Sequence, residues 1–226
     1  VRSALQANSP AVLVIIVLNV MIWIAQFFVP QLTQMFASHS PSIAQGQWWR
    51  LLTPMFLHAP FTGSIFSLMH IGFNMYILRV FGPNVEESFK TSRFLPMYLA
   101  AGFAGSAASY AFGSCFGLGV GASGAIFGVV GILLAYMYNR RTSTFVSDAM
   151  RNLLFFVGLN LFIGFTIPII DNAAHIGGLV AGLVLGYGMD PGAGRVPSVP
   201  RQIITLVLVV GATLLLVMWK TANFAC

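Results

Sequence analysis

The chain has 226 residues, of which 58% are hydrophobic and only 7% charged, and its mean hydropathy is +0.86. A soluble domain carries about 25% charged residues, so water is excluded as the solvent for most of this surface. The net charge of +6 comes from basic residues scattered between apolar runs; they form no patch for nucleic acid, and two cysteines without a C-x-x-C pair suggest neither a zinc knuckle nor a disulfide framework.

A membrane-spanning helix needs about 20 mainly apolar residues. Ser9-Pro10 predicts the start of a first span over residues 11–29, with Ser as N-cap and Pro at the first helical position. No small-residue cleavage signal follows it, so it reads as a retained helix. Residues 30–65 form a long loop rich in Trp48, Trp49, Phe56 and Phe61 with little charge. Trp rings favour the headgroup level, so this loop is expected to lie partly embedded in the interface. Further spans are predicted over 66–83, 94–113, 121–138, 151–169 and 172–189. A Pro- and Gly-rich linker over 190–201 then leads to a seventh span over 202–219. The expected architecture is an all-α polytopic membrane protein: a six-helix core over 1–189, a cytoplasmic linker over 190–201, and a single final helix with a short outer tail within 202–226.

The basic residues orient this arrangement. With seven crossings, Arg2, Arg79, Lys90, Arg93, Arg140, Arg141, Arg151, Arg195 and Arg201 share one side, and only Arg50 and Lys220 lie on the other. Basic residues concentrate on the cytoplasmic side. The N-terminus is therefore expected in the cytoplasm and the C-terminus outside, in a cell membrane such as a bacterial inner or plasma membrane. Cys115 and Cys226 both fall outside, where pairing is chemically allowed, although a frayed terminus at Cys226 weighs against it.

Polar residues inside a bilayer are costly and therefore candidates for function. His70 and Asn74 lie four residues apart on one face of the second span. Ser123 stands in Gly121-Ala122-Ser123-Gly124 at the start of the fourth span, and His175 near the start of the sixth. Each also fits a plainer role: His70 and Asn74 as interhelical hydrogen-bonding groups, Ser123 as a packing serine, His175 as a structural histidine. Their common depth favours function. The second, fourth and sixth spans all run from outside to inside, and each candidate lies in the first half of its span. Gly124 and Gly128 on the fourth span, and Ala174, Gly178, Gly182 and Gly186 on the sixth, form small-residue faces that allow close backbone approach. That approach would bring Ser123 within hydrogen-bonding reach of His175. His175 would then serve as the base for a Ser123 nucleophile, with the Ser123 backbone N–H, His70 and Asn74 as candidate oxyanion donors. Asp171 lies near the surface and is not expected to act as a third member, so a dyad is the better reading.

These residues resemble the rhomboid intramembrane proteases, from about Trp48 to Tyr187. The matching pieces are Trp49-Arg50 with Thr53-Pro54 and Phe56-Leu57-His58, His70-x-x-x-Asn74, Gly82-x-x-x-Glu86, Gly121-Ala122-Ser123-Gly124, and Ala174-His175-x-x-Gly178-x-x-x-Gly182. The resemblance implies a serine endopeptidase that cuts transmembrane helices of other membrane proteins near the outer face. It also implies a Ser123–His175 dyad, an oxyanion hole from His70, Asn74 and the Ser123 backbone, and a gate at the fifth span and the loop after it. Phe127 stands where some members carry a Tyr that packs on the catalytic His; stacking is retained without the hydroxyl. Transmembrane substrates and membrane lipids are the expected partners, with no cofactor, metal or nucleic acid.

The alternative within the family is an inactive rhomboid-like protein that binds membrane helices without cutting them. Such relatives usually lose the Ser or the His, and both are present here. No H-E-x-x-H supports a zinc protease. Asp171 and Asp190, at opposite ends of the sixth span, would be about 28 Å apart and cannot form an aspartyl dyad.

Overall fold

The computed structural model describes residues 9–61, 63–141, 144–190, 192 and 198–226. Seven long helices fall where the apolar runs predicted them: α1 (Pro10–Phe28), α4 (Ile65–Phe89), α5 (Thr91–Phe112), α6 (Ser123–Tyr138), α7 (Thr144–Thr166), α8 (Asn172–Met189) and α9 (Val199–Ala222). Two short helices, α2 (Gln31–Phe36) and α3 (Ser40–Ala44), and two 3-10 turns, Trp48–Leu51 and Thr53–Phe56, occupy the loop after α1. Among the described residues no strand forms, apart from one isolated bridge between Ser38 and Gly119. Half of the predicted linker, residues 191 and 193–197, lies outside the described residues, and its last three residues belong to α9.

Large apolar side chains face outward along the long helices, among them Val14 and Met21 on α1, Phe155 and Phe162 on α7, and Leu208 and Leu215 on α9. That surface is suited to lipid, as the composition required. Five of the helices are long and apolar enough to cross a membrane. The chain is thus a multi-pass membrane protein. The fourth in the series of long helices, α6, is apolar but has only 16 residues. At 1.5 Å per residue it reaches about 24 Å, short of a hydrocarbon core of about 30 Å. Ser123 is its first residue.

The centre of the fold is α6 against α8, with α5 laid across both. A Cβ on Gly178 would strike the carbonyl oxygen of Gly124, and one on Gly182 the carbonyl of Gly128. At Gly186 it would lie 2.7 Å from the oxygen of Ile132, and at Gly105 on α5 2.9 Å from the oxygen of Ala174. These backbones touch because no side chain stands between them, which is how small residues drive helix association in lipid.

Two helix boundaries differ from the sequence reading by more than a turn. The second span was expected to stop at Pro83, but α4 continues through it to Phe89. The extra turn carries Glu86 to the start of α1, where its carboxylate accepts from the N–H groups of Ala11 and Val12, each at 3.0 Å, and from Thr91 Oγ1 at 2.6 Å. The first N–H groups of a helix lack partners within it, and a buried carboxylate supplies them here. Gly82, one turn earlier, meets Val12 so closely that a Cβ would lie 2.7 Å from its Cγ2. The Gly82-x-x-x-Glu86 motif is thus the seat of α1. The second difference is α7, which begins at Thr144 instead of 151, so that Asp148 and Arg151 pair at 2.7 Å on a helical turn.

The final helix packs on α5 and α8 through a stripe of Thr205, Val209, Thr213 and Val217, four residues apart. Its end is fixed by Tyr110, which stacks on Phe224 at 6.1 Å and shares a hydrogen bond of 3.0 Å with Thr221. Cys226 forms a disulfide with Cys115, with Cα atoms 5.6 Å apart. The pairing that a frayed tail weighed against is formed, because aromatic stacking holds the tail beside the loop after α5.

Candidate active site

The loop after α1 builds one wall of the site, and the Trp49-Arg50 motif explains its shape. The last four carbonyls of a helix have no partner within it. For α2, Arg50 Nη2 donates to Gln34 O at 2.7 Å, Trp49 Nε1 to Met35 O at 3.2 Å, Thr53 Oγ1 to Phe36 O at 2.6 Å, and Arg50 Nη1 to Ala37 O at 2.7 Å. A buried guanidinium at a helix C-terminus also opposes the helix dipole favourably. The capped segment then pairs with the loop that leads into α6. Ser38 and Gly119 exchange two backbone hydrogen bonds of 2.9 Å, and Gly121 N donates to Pro54 O at 3.0 Å. Trp49, Arg50 and Thr53 therefore hold the segment from which Ser123 projects, although none of them comes near the candidate dyad.

Ser123 is the first residue of α6, and Gly121 before it has φ +133°, a conformation open to glycine and strained for other residues. From there Ser123 Oγ lies 2.9 Å from His175 Nε2. His175 is buried, and Phe127, one turn into α6, lies flat on its imidazole with ring centroids 4.3 Å apart and planes 7° apart. The Gly124–Gly178 contact, directly beside both residues, brings the helices close enough for this bond. Asp171 does not reach the ring. Its carboxylate caps α8 by accepting from Ala174 N at 2.9 Å and takes a second hydrogen bond from Ser109 Oγ. His175 Nδ1 has no hydrogen-bonding partner among the described residues, so the pair has no carboxylate behind it.

His70 approaches from α4. A methyl group built on Gly121 would lie 2.9 Å from His70 Nε2 and 3.8 Å from Ser123 Oγ, so the imidazole and the hydroxyl converge on one small space. The N–H groups at the start of α6 lack helical acceptors and open toward the same end. Asn74, buried on α4, donates Nδ2 to its own helix at His70 O, 2.8 Å away. One amide hydrogen is thus used within α4 and the other is left for a further acceptor. Among the described residues no group of three or more His, Cys, Asp or Glu side chains could hold a metal ion.

The structure therefore brings Ser123, His175, His70 and Phe127 together, with Gly121, Gly124, Gly178 and Gly182 as the contacts that allow it. It places Trp49, Arg50 and Glu86 elsewhere, as supports for the embedded loop and for α1. Sequence reasoning passed over Gln26, whose side chain is buried near the C-terminal end of α1 against this wall. A glutamine near the end of an apolar run was the available signal.

The rhomboid domain profile matches residues 45–191, most of the chain and every residue of the constellation just described. The chain belongs to the rhomboid family. It is similar to the rhomboid protease GluP of Bacillus subtilis (strain 168), with 37% identity over 174 residues, or 77% of this chain and 32% of that protein. It also resembles RHOMBOID-like protein 6, mitochondrial, of Arabidopsis thaliana, with 38% identity over 148 residues, or 64% of this chain and 45% of that protein. Rhomboid-like protease 1 of Toxoplasma gondii is 35% identical over 153 residues, covering 66% of this chain and 50% of that protein. The chain spans about a third to a half of the length of these relatives. The rhomboid profile ends near the end of α8, leaving α9 outside the match.

Proposed function

We propose that this rhomboid is an intramembrane serine endopeptidase that cleaves transmembrane segments of other membrane proteins near the extracytoplasmic face. The observation that carries the reading is the 2.9 Å contact between Ser123 Oγ and His175 Nε2. A serine hydroxyl is a weak nucleophile until a base takes its proton. With Nε2 unprotonated, His175 accepts that proton as Oγ attacks the scissile carbonyl. The carbonyl oxygen then gains charge in the space below Gly121, where the Ser123 N–H, the His70 imidazole and the remaining Asn74 amide hydrogen can donate to it. The imidazolium returns its proton to the departing amine, leaving an acyl group on Ser123. Water, deprotonated by His175 in turn, hydrolyses the acyl-enzyme. Phe127 holds the imidazole plane throughout.

Two further observations support the orientation. The basic residues lie predominantly on the side opposite Ser123. The Cys115–Cys226 disulfide lies on the Ser123 side, between the end of α5 and the tail of α9, and disulfides persist in oxidising compartments. We therefore place the active site on the outer side, with the N-terminus in the cytoplasm and the C-terminus outside. A substrate helix would approach between α4 and α7. There α7 touches α4 through the rings of Phe81 and Phe156, 5.5 Å apart, and exposes Phe155, Phe162 and Phe165 to lipid.

The bonded Ser–His pair weighs against the reading of an inactive helix-binding relative. The deciding experiment reconstitutes the protein in liposomes with a reporter carrying one transmembrane helix and maps the cut by mass spectrometry. Wild-type protein should cut near the outer end of the helix, and Ser123→Ala and His175→Ala should each abolish cutting. Undiminished cutting by either variant would remove the dyad from the account.

A further inference from the structure

His70 offers one ring nitrogen, Nε2, to the space it shares with Ser123 Oγ. Its usefulness there depends on which nitrogen carries the hydrogen. A neutral imidazole has one donor nitrogen and one acceptor nitrogen, and the partner of one decides the role of the other. The partner of His70 Nδ1 is the backbone N–H of Ala59, at 3.3 Å. A backbone N–H can only donate, so Nδ1 must accept and the hydrogen must sit on Nε2. The other nearby ring does not compete for Nδ1. His58 packs against His70 with centroids 5.2 Å apart, and among the described residues neither of its nitrogens has a hydrogen-bonding partner.

The Ala59 N–H is itself aimed by α1. It belongs to the peptide unit whose carbonyl is His58 O. In a planar trans peptide the C=O and N–H point in opposite directions. Gln26 Nε2 donates to His58 O at 2.9 Å, and Gln26 Oε1 accepts from His58 N at 3.1 Å. One side chain thus grips both backbone groups of His58 and turns the far side of the 58–59 peptide toward His70. Trp23 Nε1, one turn earlier on α1, holds the next carbonyl, Ala59 O, at 2.9 Å. Every hydrogen bond from the Gln26 amide through the peptide to the imidazole runs in one direction, and such chains polarise one another.

From this geometry we infer that Gln26 is a positioning residue for catalysis, acting through the 58–59 peptide to keep His70 in the Nε2–H form that donates to the oxyanion. The inference rests on the reading of His70 as an oxyanion donor. It assigns to α1, which is remote from Ser123, a part in the chemistry beyond packing. Gln26 does not touch the substrate. Removing it frees the peptide to rotate, and His70 then divides between its two neutral tautomers. Only one of these donates to the developing charge.

The test uses full-length protein in detergent with ¹⁵N-labelled histidine, the His70 signals being assigned by their loss in His70→Asn. The Ser123→Ala background serves as well as wild type, so the spectrum does not depend on whether the protein is a protease. The expected spectrum shows His70 with a protonated Nε2 and an unprotonated Nδ1. Gln26→Met, similar in size but without polar atoms, should add the Nδ1–H tautomer. It should also lower kcat on a transmembrane reporter about tenfold with KM little changed, less than the 10²–10³ seen when an oxyanion donor is deleted outright. Gln26→Glu keeps an acceptor for His58 N and should lie between the two. A wild-type His70 carrying its hydrogen on Nδ1 would overturn the inference without any variant having to fold. So would a folded Gln26→Met protein with the wild-type tautomer and kcat. Retained cutting by Ser123→Ala would instead count against the protease mechanism itself, and the two failures are thereby separate.

Discussion

Phe127 and His175 lie face to face, with ring planes 7° apart and centroids 4.3 Å apart. An aromatic pair of this kind contributes about 0.5–1.5 kcal/mol beyond the area it buries. Its greater effect here is to fix the plane in which Nε2 meets Ser123 Oγ. Phe127→Leu should leave the fold intact and lower kcat about tenfold, because a misaligned base costs rate before it costs stability. Phe127→Tyr keeps the flat ring and should retain most of the activity. Steady-state kinetics on a transmembrane reporter compares the two variants.

Gly121 is the glycine whose side chain would intrude on the candidate site itself. Its φ of +133° disfavours any Cβ, and a methyl there would lie 2.9 Å from His70 Nε2, in the space where the oxyanion is expected to form. Gly121→Ala should lower kcat by more than about a hundredfold, on the scale of losing an oxyanion donor. Thermal melting in detergent should show a smaller change than the kinetics do, since the strain is confined to one turn.

Glu86 reports on stability and not on chemistry. Its buried carboxylate serves two backbone N–H groups of α1 and the Thr91 hydroxyl. Glu86→Ala strands those donors and should cost about 2–4 kcal/mol, because each buried unsatisfied group costs about 1–3 kcal/mol and partial relaxation recovers some of it. Glu86→Gln keeps one acceptor oxygen and should cost less. Unfolding measured in mixed micelles separates the variants, and protein that remains folded should still cut.

A pH dependence is expected at the opposite membrane surface from Ser123. Burial pushes the Asp190 carboxyl upward. Hydrogen bonds from Arg140, Asn139 and the Gly192 N–H outweigh it, and the net pKa lies below the usual carboxylate value. The Arg140 Nη1–Asp190 Oδ2 contact of 2.5 Å ties the C-terminus of α6 to that of α8. A depressed folded pKa gives stability that is fully present above the ordinary carboxylate value of about 4 and is lost as the pH falls through the folded value. Melting temperature should therefore fall more steeply below about pH 4 in wild type than in Asp190→Asn. Equal slopes would mean that the pair contributes nothing.

The long helices were legible because lipid demands unbroken apolar runs. The pairing of Ser123 with His175 was legible through Gly124, Gly128, Gly178 and Gly182, since small residues four apart have one strong use in a membrane helix. Trp49, Arg50 and Glu86 were recognisable only as motif residues. What they do depends on carbonyls of α2 and N–H groups of α1 that lie far away in sequence, at distances no local pattern encodes. The Cys115–Cys226 pairing was left open for a related reason. It depends on Tyr110 stacking with Phe224 across 114 positions of sequence, which no terminal composition reveals. The end of α4 was placed at residue 83, whereas the helix runs through Pro83 to Phe89, where Glu86 docks under α1.

The most direct test of the account is labelling by a serine-reactive fluorophosphonate in detergent, with the modified residue located by mass spectrometry. Wild-type protein should carry a single adduct, on Ser123, with none in Ser123→Ala and strongly reduced labelling in His175→Ala. Unlabelled Ser123 in folded wild-type protein, or full labelling of Ser123 without His175, would contradict it.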